Sequence, residues 1–366
     1  MSQAALRVKN LLIVSTIIKY VHVTSPIWYL VATQRERRPM LKEFTAQDVR
    51  SAYVRIADFV RRTSLEDSVY LNDEYHRYRF KLESQQLGKS FKIRGALNTL
   101  AQLPRTQIER GVGTISTGNH GIAVSYACRL LGIENCVVIV PYGTPRPKLD
   151  RIRFYGARVM TMGNSYEDAL TLGLNYIDRH ELFYVDPGDA DPRVYAGQGT
   201  VGFEIMTVHP KVDTIVVPMG SGGLITGIAV AAKSINPDVR IVGVQTAACP
   251  AVARSLADGI PYTHYPTMGH TICEAVVGGI GRLAYQMLPD LIDQIVIVSE
   301  ESILDAMCFM AIEEQCVIEG GSAMVVAAVR EHQDLVGGSD IALVITGGNV
   351  DGDMLHAALD ARLKRD

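Results

Sequence analysis

The chain has 366 residues, 36 basic and 39 acidic, with a net charge of −3, and 48% of its residues are apolar. That length allows one large domain or two smaller ones, and the apolar share excludes a mostly disordered chain. The charge balance excludes the strong basic excess of a nucleic-acid binder.

Residues 1–39 read as an appendage. The apolar run LLIVSTII (11–18) is too short to span a bilayer, so no membrane partner is expected. Lys19 and His22 follow it, and no small-residue cleavage site of a secretory signal stands out. Met40 then opens LKEFTAQDVRSAYVRI, which reads as a domain start. The six cysteines lack CxxC spacing and read as reduced thiols of a cytoplasmic protein. The nine histidines show no HExxH pattern, so no metal site is expected.

The first segment with chemistry in it is Ser90-Phe91-Lys92-Ile93-Arg94-Gly95-Ala96. Ile93, Ala96, Leu97, Leu100 and Leu103 follow at helical spacing, which puts Lys92 near a helix start with Ser90 as its cap. The helix dipole disfavours the ammonium charge there, as does any burial. Both favour the neutral amine that attacks an aldehyde. A lone lysine is ordinarily a solvated one, and Lys89 competes on spacing alone.

From residue 111 strands and helices alternate. Strands are expected at 111–117, 135–141, 158–162, 182–186, 213–218, 240–245, 295–298 and 340–346. Helices are expected at 122–131, 147–155, 166–179, 198–209, 226–235, 302–314 and 322–329. Short β-branched strands alternating with helices indicate an α/β fold with parallel sheets. Only 15 residues follow Asp351, so no appended regulatory domain is expected.

Three further segments lie where a strand meets a helix or loop. Ser116-Thr117-Gly118-Asn119-His120-Gly121 offers amides and hydroxyls to a carboxylate or phosphate. Gly220-Ser221-Gly222-Gly223 lets a phosphate approach bare backbone at a helix N-terminus, although a structural turn reads equally well. It lacks GxGxxG spacing, and no GxxxxGK[ST] occurs in the chain. Thr346-Gly347-Gly348-Asn349-Val350-Asp351 closes the last strand, the end of an open α/β sheet where ligands gather.

In this order, the four segments resemble the threonine dehydratase and serine racemase group of pyridoxal-phosphate (PLP) enzymes, from about Met40 to Asp351. The resemblance implies the tryptophan-synthase-β-like fold (fold type II). It would have two open α/β domains with mostly parallel sheets: a large cofactor domain (40–110 and 191–366) and a small domain (111–190). SFKIRGA resembles the Schiff-base motif, which selects Lys92 over Lys89 and places Phe91 beside the cofactor. STGNHG resembles the asparagine loop: Asn119 would meet the ring hydroxyl, and Ser116, Thr117, Asn119 and His120 the substrate. GSGG (220–223) resembles the phosphate loop, and TGGNVD the segment whose hydroxyl, here on Thr346, meets the pyridine nitrogen. AGQGT (196–200) also fits.

The resemblance implies β-elimination of water from a small hydroxy amino acid by a homodimer, with Lys92 as the base. Racemisation is the alternative, with the Thr117 hydroxyl on the opposite face. A non-catalytic PLP sensor is a third reading, which the intact segments disfavour. Two departures bear on the chemistry. Leu87-Gly88-Lys89 replace the usual residues before the lysine. Gln245 and Ala251 stand where some members place acidic metal ligands, so activity without a divalent ion is expected. Glu274 and Glu319 fall near the expected site with roles left open. VVGGIG (276–281) further resembles dehydratases of hydroxyectoine breakdown.

Overall fold

A computed structural model describes residues 44–363, and the appendage expected over 1–39 lies outside them. The chain opens with helix α1 (Ala46–Ile56), then strands β1 (Leu65–Asp67) and β2 (Arg77–Leu82), then helices α2 (Lys92–Leu100) and α3 (Arg105–Arg110). Next come β3 (Val112–Ile115), α4 (Asn119–Leu131), β4 (Cys136–Val140), α5 (Arg146–Phe154), β5 (Arg158–Thr161), α6 (Tyr166–Arg179) and β6 (Phe183–Tyr184). They are followed by α7 (Pro192–Val208), β7 (Thr214–Pro218), α8 (Gly223–Ile235), β8 (Arg240–Thr246), α9 (Ala251–Asp258) and α10 (Arg282–Leu291). The chain continues with β9 (Gln294–Val298), α11 (Glu300–Ile312), α12 (Gly320–Glu331), α13 (Gln333–Val336), β10 (Asp340–Ile345) and α14 (Gly352–Leu363).

The strands form two sheets. The larger has six strands in the order β1-β2-β10-β7-β8-β9, and the smaller four in the order β5-β4-β3-β6. Every pairing is parallel except β1 with β2. This is the expected α/β architecture. The smaller sheet lies wholly within residues 112–184, and the larger takes its strands from both sides of that stretch.

Alternation along each strand feeds two cores, because successive side chains point to opposite faces. In β7, Ile215 and Val217 pack with α1, α7, α8 and α10, whereas Val216 packs with α11 and α12. Covered on both faces, these strands are apolar throughout, as their sequences indicated. In the smaller sheet, Val138 and Val140 face α2 and α4, while Val137 and Ile139 face α6. No described helix is long and apolar enough to cross a membrane.

Several boundaries differ from the sequence reading. The strand expected to reach Thr117 ends at Ile115, and the helix expected from Ile122 begins at Asn119. Apolar spacing begins only at Ile122, and it missed a first turn whose buried residues, His120 and Gly121, carry no apolar side chain. The helix expected from Gln198 begins at Pro192, after an Asp191 cap that was visible in the sequence. Ser90 does not cap α2. It is held extended by an antiparallel bridge to Gly347, and Phe91 is the N-cap. Helix α10 escaped sequence reading because it contains Pro289.

Candidate active site

Lys92 opens α2 in the seam between the two sheets. Two consecutive left-handed residues, Gly88 (φ 75°) and Lys89 (φ 63°), turn the chain before it. Backbone bonds then tie this turn to the end of β10: Phe91 N donates to Thr346 O at 3.0 Å, and Gly348 N donates to Lys89 O at 2.9 Å. The lysine segment and the TGGNVD segment therefore form one unit. Lys89 is exposed and lines a separate 380 Å³ cavity with Gly88, Arg151 and Asn349.

The Lys92 amine donates to Pro187 O at 2.9 Å and lies 5.2 Å from the centre of the Phe91 ring. Burial lowers its pKa to about 8, against the opposing pull of the Asp186 and Glu319 carboxylates. A useful fraction of neutral amine is thus present near neutral pH. The Asp186 carboxylate is held by the backbone N–H groups of Gly188, Asp189 and Ala190.

The α2 helix is anchored by four fully buried charged groups. Arg94 donates Nε to Glu83 at 2.7 Å and Nη1 and Nη2 to Glu204 at 2.8 and 2.9 Å. Lys81 completes the group through Glu204 at 2.5 Å. This fixes the helix carrying Lys92 against α7 and β2. AGQGT contributes here through Gly197: a Cβ at that position would lie 2.5 Å from Arg94 O. Only glycine lets α2 and α7 approach so closely.

The asparagine loop lies between β3 and α4. Ser116 Oγ accepts from Gly118 N at 3.3 Å, and Thr117 is half-buried in the same turn. No Gly118 side chain exists to cap α4, so the first turn presents amide donors. Asn119 donates from Nδ2 to both Glu319 oxygens, at 2.8 and 3.0 Å, and accepts at Oδ1 from Asn349 Nδ2 at 2.8 Å. Burial, and secondarily Lys92, depress the His120 pKa to about 4, so the imidazole is neutral. Its Nε2 lies 3.0 Å from Val185 O and carries the proton, because a carbonyl can only accept. The ring is thus committed to its own sheet, and a substrate carboxylate would meet the backbone of His120 rather than its side chain.

Gly220–Gly223 follow β7 and lead into α8, so their amides gather at a helix N-terminus. Gly222 has φ 92°, and a Cβ there would lie 2.7 Å from Ala284 Cβ. Ser221 Oγ donates to Gly188 O at 3.3 Å, and Ser221 O accepts from Gly281 N at 2.8 Å. The loop is therefore an uncapped, side-chain-poor cradle that suits a phosphate. At the end of β10, Thr346 Oγ1 lies 2.9 Å from Ser322 Oγ. Ser322 is buried and also accepts from Gly347 N at 2.7 Å, so it locks the Thr346 segment. Nothing in the sequence singled out Ser322, because its contact is made only in the folded chain.

Glu319 is the half-buried carboxyl that the sequence left without a role. Burial raises its pKa, opposed by hydrogen bonds from the Asn119 side chain and the Asn349 backbone and by the charge of Lys92. Glu274 is exposed and pairs with Lys148 of α5 at 2.6 Å. Gln245 accepts from Ala253 N at 2.9 Å, and Ala251 has no ligating group. No cluster of three metal-ligating side chains occurs among the described residues. Chelator treatment should leave activity within about twofold, since neutral Gln245 carries no charge for a hard cation. A large loss restored by magnesium or calcium would refute this.

A lysine of lowered pKa, a glycine-rich loop at a helix N-terminus and a buried hydroxyl at a strand end together fit one cofactor, pyridoxal phosphate. The comparisons agree. Residues 56–347 match the pyridoxal-phosphate dependent enzyme family, and the chain belongs to it. It is 37% identical over 322 residues to the L-threonine ammonia-lyase of Thermotoga maritima, covering 87% of this chain and 79% of that one. It is 36% identical to the catabolic L-threonine dehydratase of Escherichia coli, covering 83% and 92%. Maize serine racemase has a similar structure, with a TM-score of 0.80 and 30% identity over 88% of this chain and 99% of that one.

Proposed function

We propose that this enzyme is an ammonia-lyase that dehydrates a small β-hydroxy amino acid of the threonine or serine type. The observation that carries this is Lys92, an amine of lowered pKa at a seam where the other three segments also meet. Bound pyridoxal phosphate supplies the electron sink for the α-carbon. The Gly220, Ser221, Gly222 and Gly223 amides would hold its phosphate, and Asn119 would meet the ring oxygen. Phe91 would lie beside the ring, and the neutral Thr346 hydroxyl would meet the ring nitrogen. A hydroxyl there would leave that nitrogen unprotonated, which would suit a reaction in which the β-hydroxyl departs as negative charge develops.

Ser116, Thr117 and the amides of Asn119 and His120 would hold the substrate carboxylate at the start of α4. Freed Lys92 Nζ would accept the α-proton. The proton and the β-hydroxyl leave together as water, and the resulting enamine takes up water to give a 2-oxo acid and ammonia. The Thr117 hydroxyl supports a second reading, racemisation, because it could return a proton to the opposite face.

The two separate sheets support a division into a large domain, 40–110 with 191–366, and a small one, 111–190. All six cysteines are free, which supports a cytoplasmic setting. Phe154 is 72% exposed beside Tyr155 and suits burial in a homodimer.

A screen of serine, threonine, hydroxyaspartate and phenylserine, read by 2-oxo acid release and chiral analysis, tests the reading. At least one should yield 2-oxo acid. Enantiomer without 2-oxo acid would favour the racemase, and neither product from any of them would refute both.

A further inference from the structure

Asn119 belongs to the smaller sheet's unit, whereas Glu319 and Asn349 belong to the larger one. Its amide is nonetheless bonded to both. The two oxygens of one carboxylate subtend a much smaller angle at Nδ2 than its two N–H bonds do. A single N–H therefore serves both Glu319 oxygens, and the second is left over. On the other side, Asn349 Nδ2 donates to Gly88 O at 2.9 Å and to Asn119 Oδ1 at 2.8 Å, which commits both of its hydrogens. Turning the Asn119 amide over would set its NH2 against that of Asn349 and its oxygen against a carboxylate. The surroundings are equally fixed: a Cβ at Gly347 would lie 2.3 Å from Glu319 Oε1.

We propose that Glu319 and Asn349 are positioning residues that clamp the Asn119 amide in one orientation, leaving one N–H for the cofactor's ring oxygen. This rests on the assignment of Asn119 to that oxygen. The same hydrogen bonds join the two sheet units.

The test is the pH titration of the visible absorbance band in holoenzyme carrying N119A, N349A, E319A or E319Q, with cofactor affinity measured alongside. An N–H donor withdraws charge from the ring oxygen and makes the neighbouring Lys92 nitrogen a weaker base. Losing the donor raises the midpoint, by about half a pH unit. N119A and N349A should both show this rise. E319Q removes the carboxylate's charge but keeps an acceptor, so its midpoint should not rise. E319A should lie above E319Q by about half a pH unit, the part due to orientation alone. Cofactor affinity should fall severalfold in N349A and E319A.

A moved N119A with an unmoved N349A, or an E319A that matches E319Q, would overturn the clamp. An unmoved N119A would instead overturn the assignment of Asn119 itself. If E319A does not fold, N349A carries the test, because it alters only a half-buried amide and no charge.

Discussion

Lys92→Ala should abolish the visible band that pyridoxal phosphate gives with the wild-type enzyme. Turnover should fall by about 10²–10⁴-fold from loss of the proton acceptor alone. In the proposed function one nitrogen would serve twice: it would bond the cofactor aldehyde and, once released, take the α-proton. Its single side-chain hydrogen bond goes to Pro187 O, so alanine removes little that holds the fold. The variant should therefore unfold near the wild-type temperature, which separates lost chemistry from lost structure.

The same nitrogen sets a pH dependence. Only the neutral amine reacts, and burial brings its pKa down to about 8. Cofactor capture by stripped protein should therefore quicken as pH rises through about 8 and level off above it. A midpoint near the ordinary lysine value would contradict the buried setting. Wild-type turnover in the alanine variant would refute the function proposed for Lys92.

Arg94→Met should destabilise the protein by about 3–5 kcal/mol, because it strands buried carboxylates without their main partner. Glu83 and Glu204 would remain with Lys81, itself a fully buried group whose pKa burial lowers. Burial alone would push the Glu83 pKa up, but Arg94 and then Lys81 hold it below the usual carboxylate value. A depressed acid contributes stability that is present above its unfolded pKa and is lost as pH falls through the folded one. The difference between wild type and variant, measured by urea unfolding, should be largest near neutral pH and shrink in acid. Arg94→Lys should recover part of it, since one ammonium cannot reproduce the forked bonds to both carboxylates. A methionine variant as stable as wild type at pH 7 would show that the four charges contribute nothing net.

The alternation of β-branched strands with helices, and the bare glycines at strand ends, were legible along the chain. Burial on both faces makes such strands apolar throughout, and phosphate approach requires missing side chains. Lys92 could be preferred over Lys89 only through the resemblance, because local spacing treats them alike. The folded chain separates them physically: one is exposed and the other lies in the seam.

What escaped sequence reading depends on contacts between distant segments. Asn119 meets Glu319 across 200 positions, and Ser322 meets Thr346 across 24. The resemblance implies His120 as a substrate residue without choosing between its ring and its backbone, and the partner of its imidazole, Val185 O, is a backbone atom with no signature in the sequence. The start of α4 precedes the apolar spacing because its first-turn residues, Asn119, His120 and Gly121, carry no apolar side chain even where they are buried. By itself the sequence determined the alternation of strands and helices, which follows from residue type and spacing, whereas the candidate site residues came only through the resemblance. Only the tertiary structure decided how those residues are charged and aimed, because burial and hydrogen-bond partners are properties of the assembled chain.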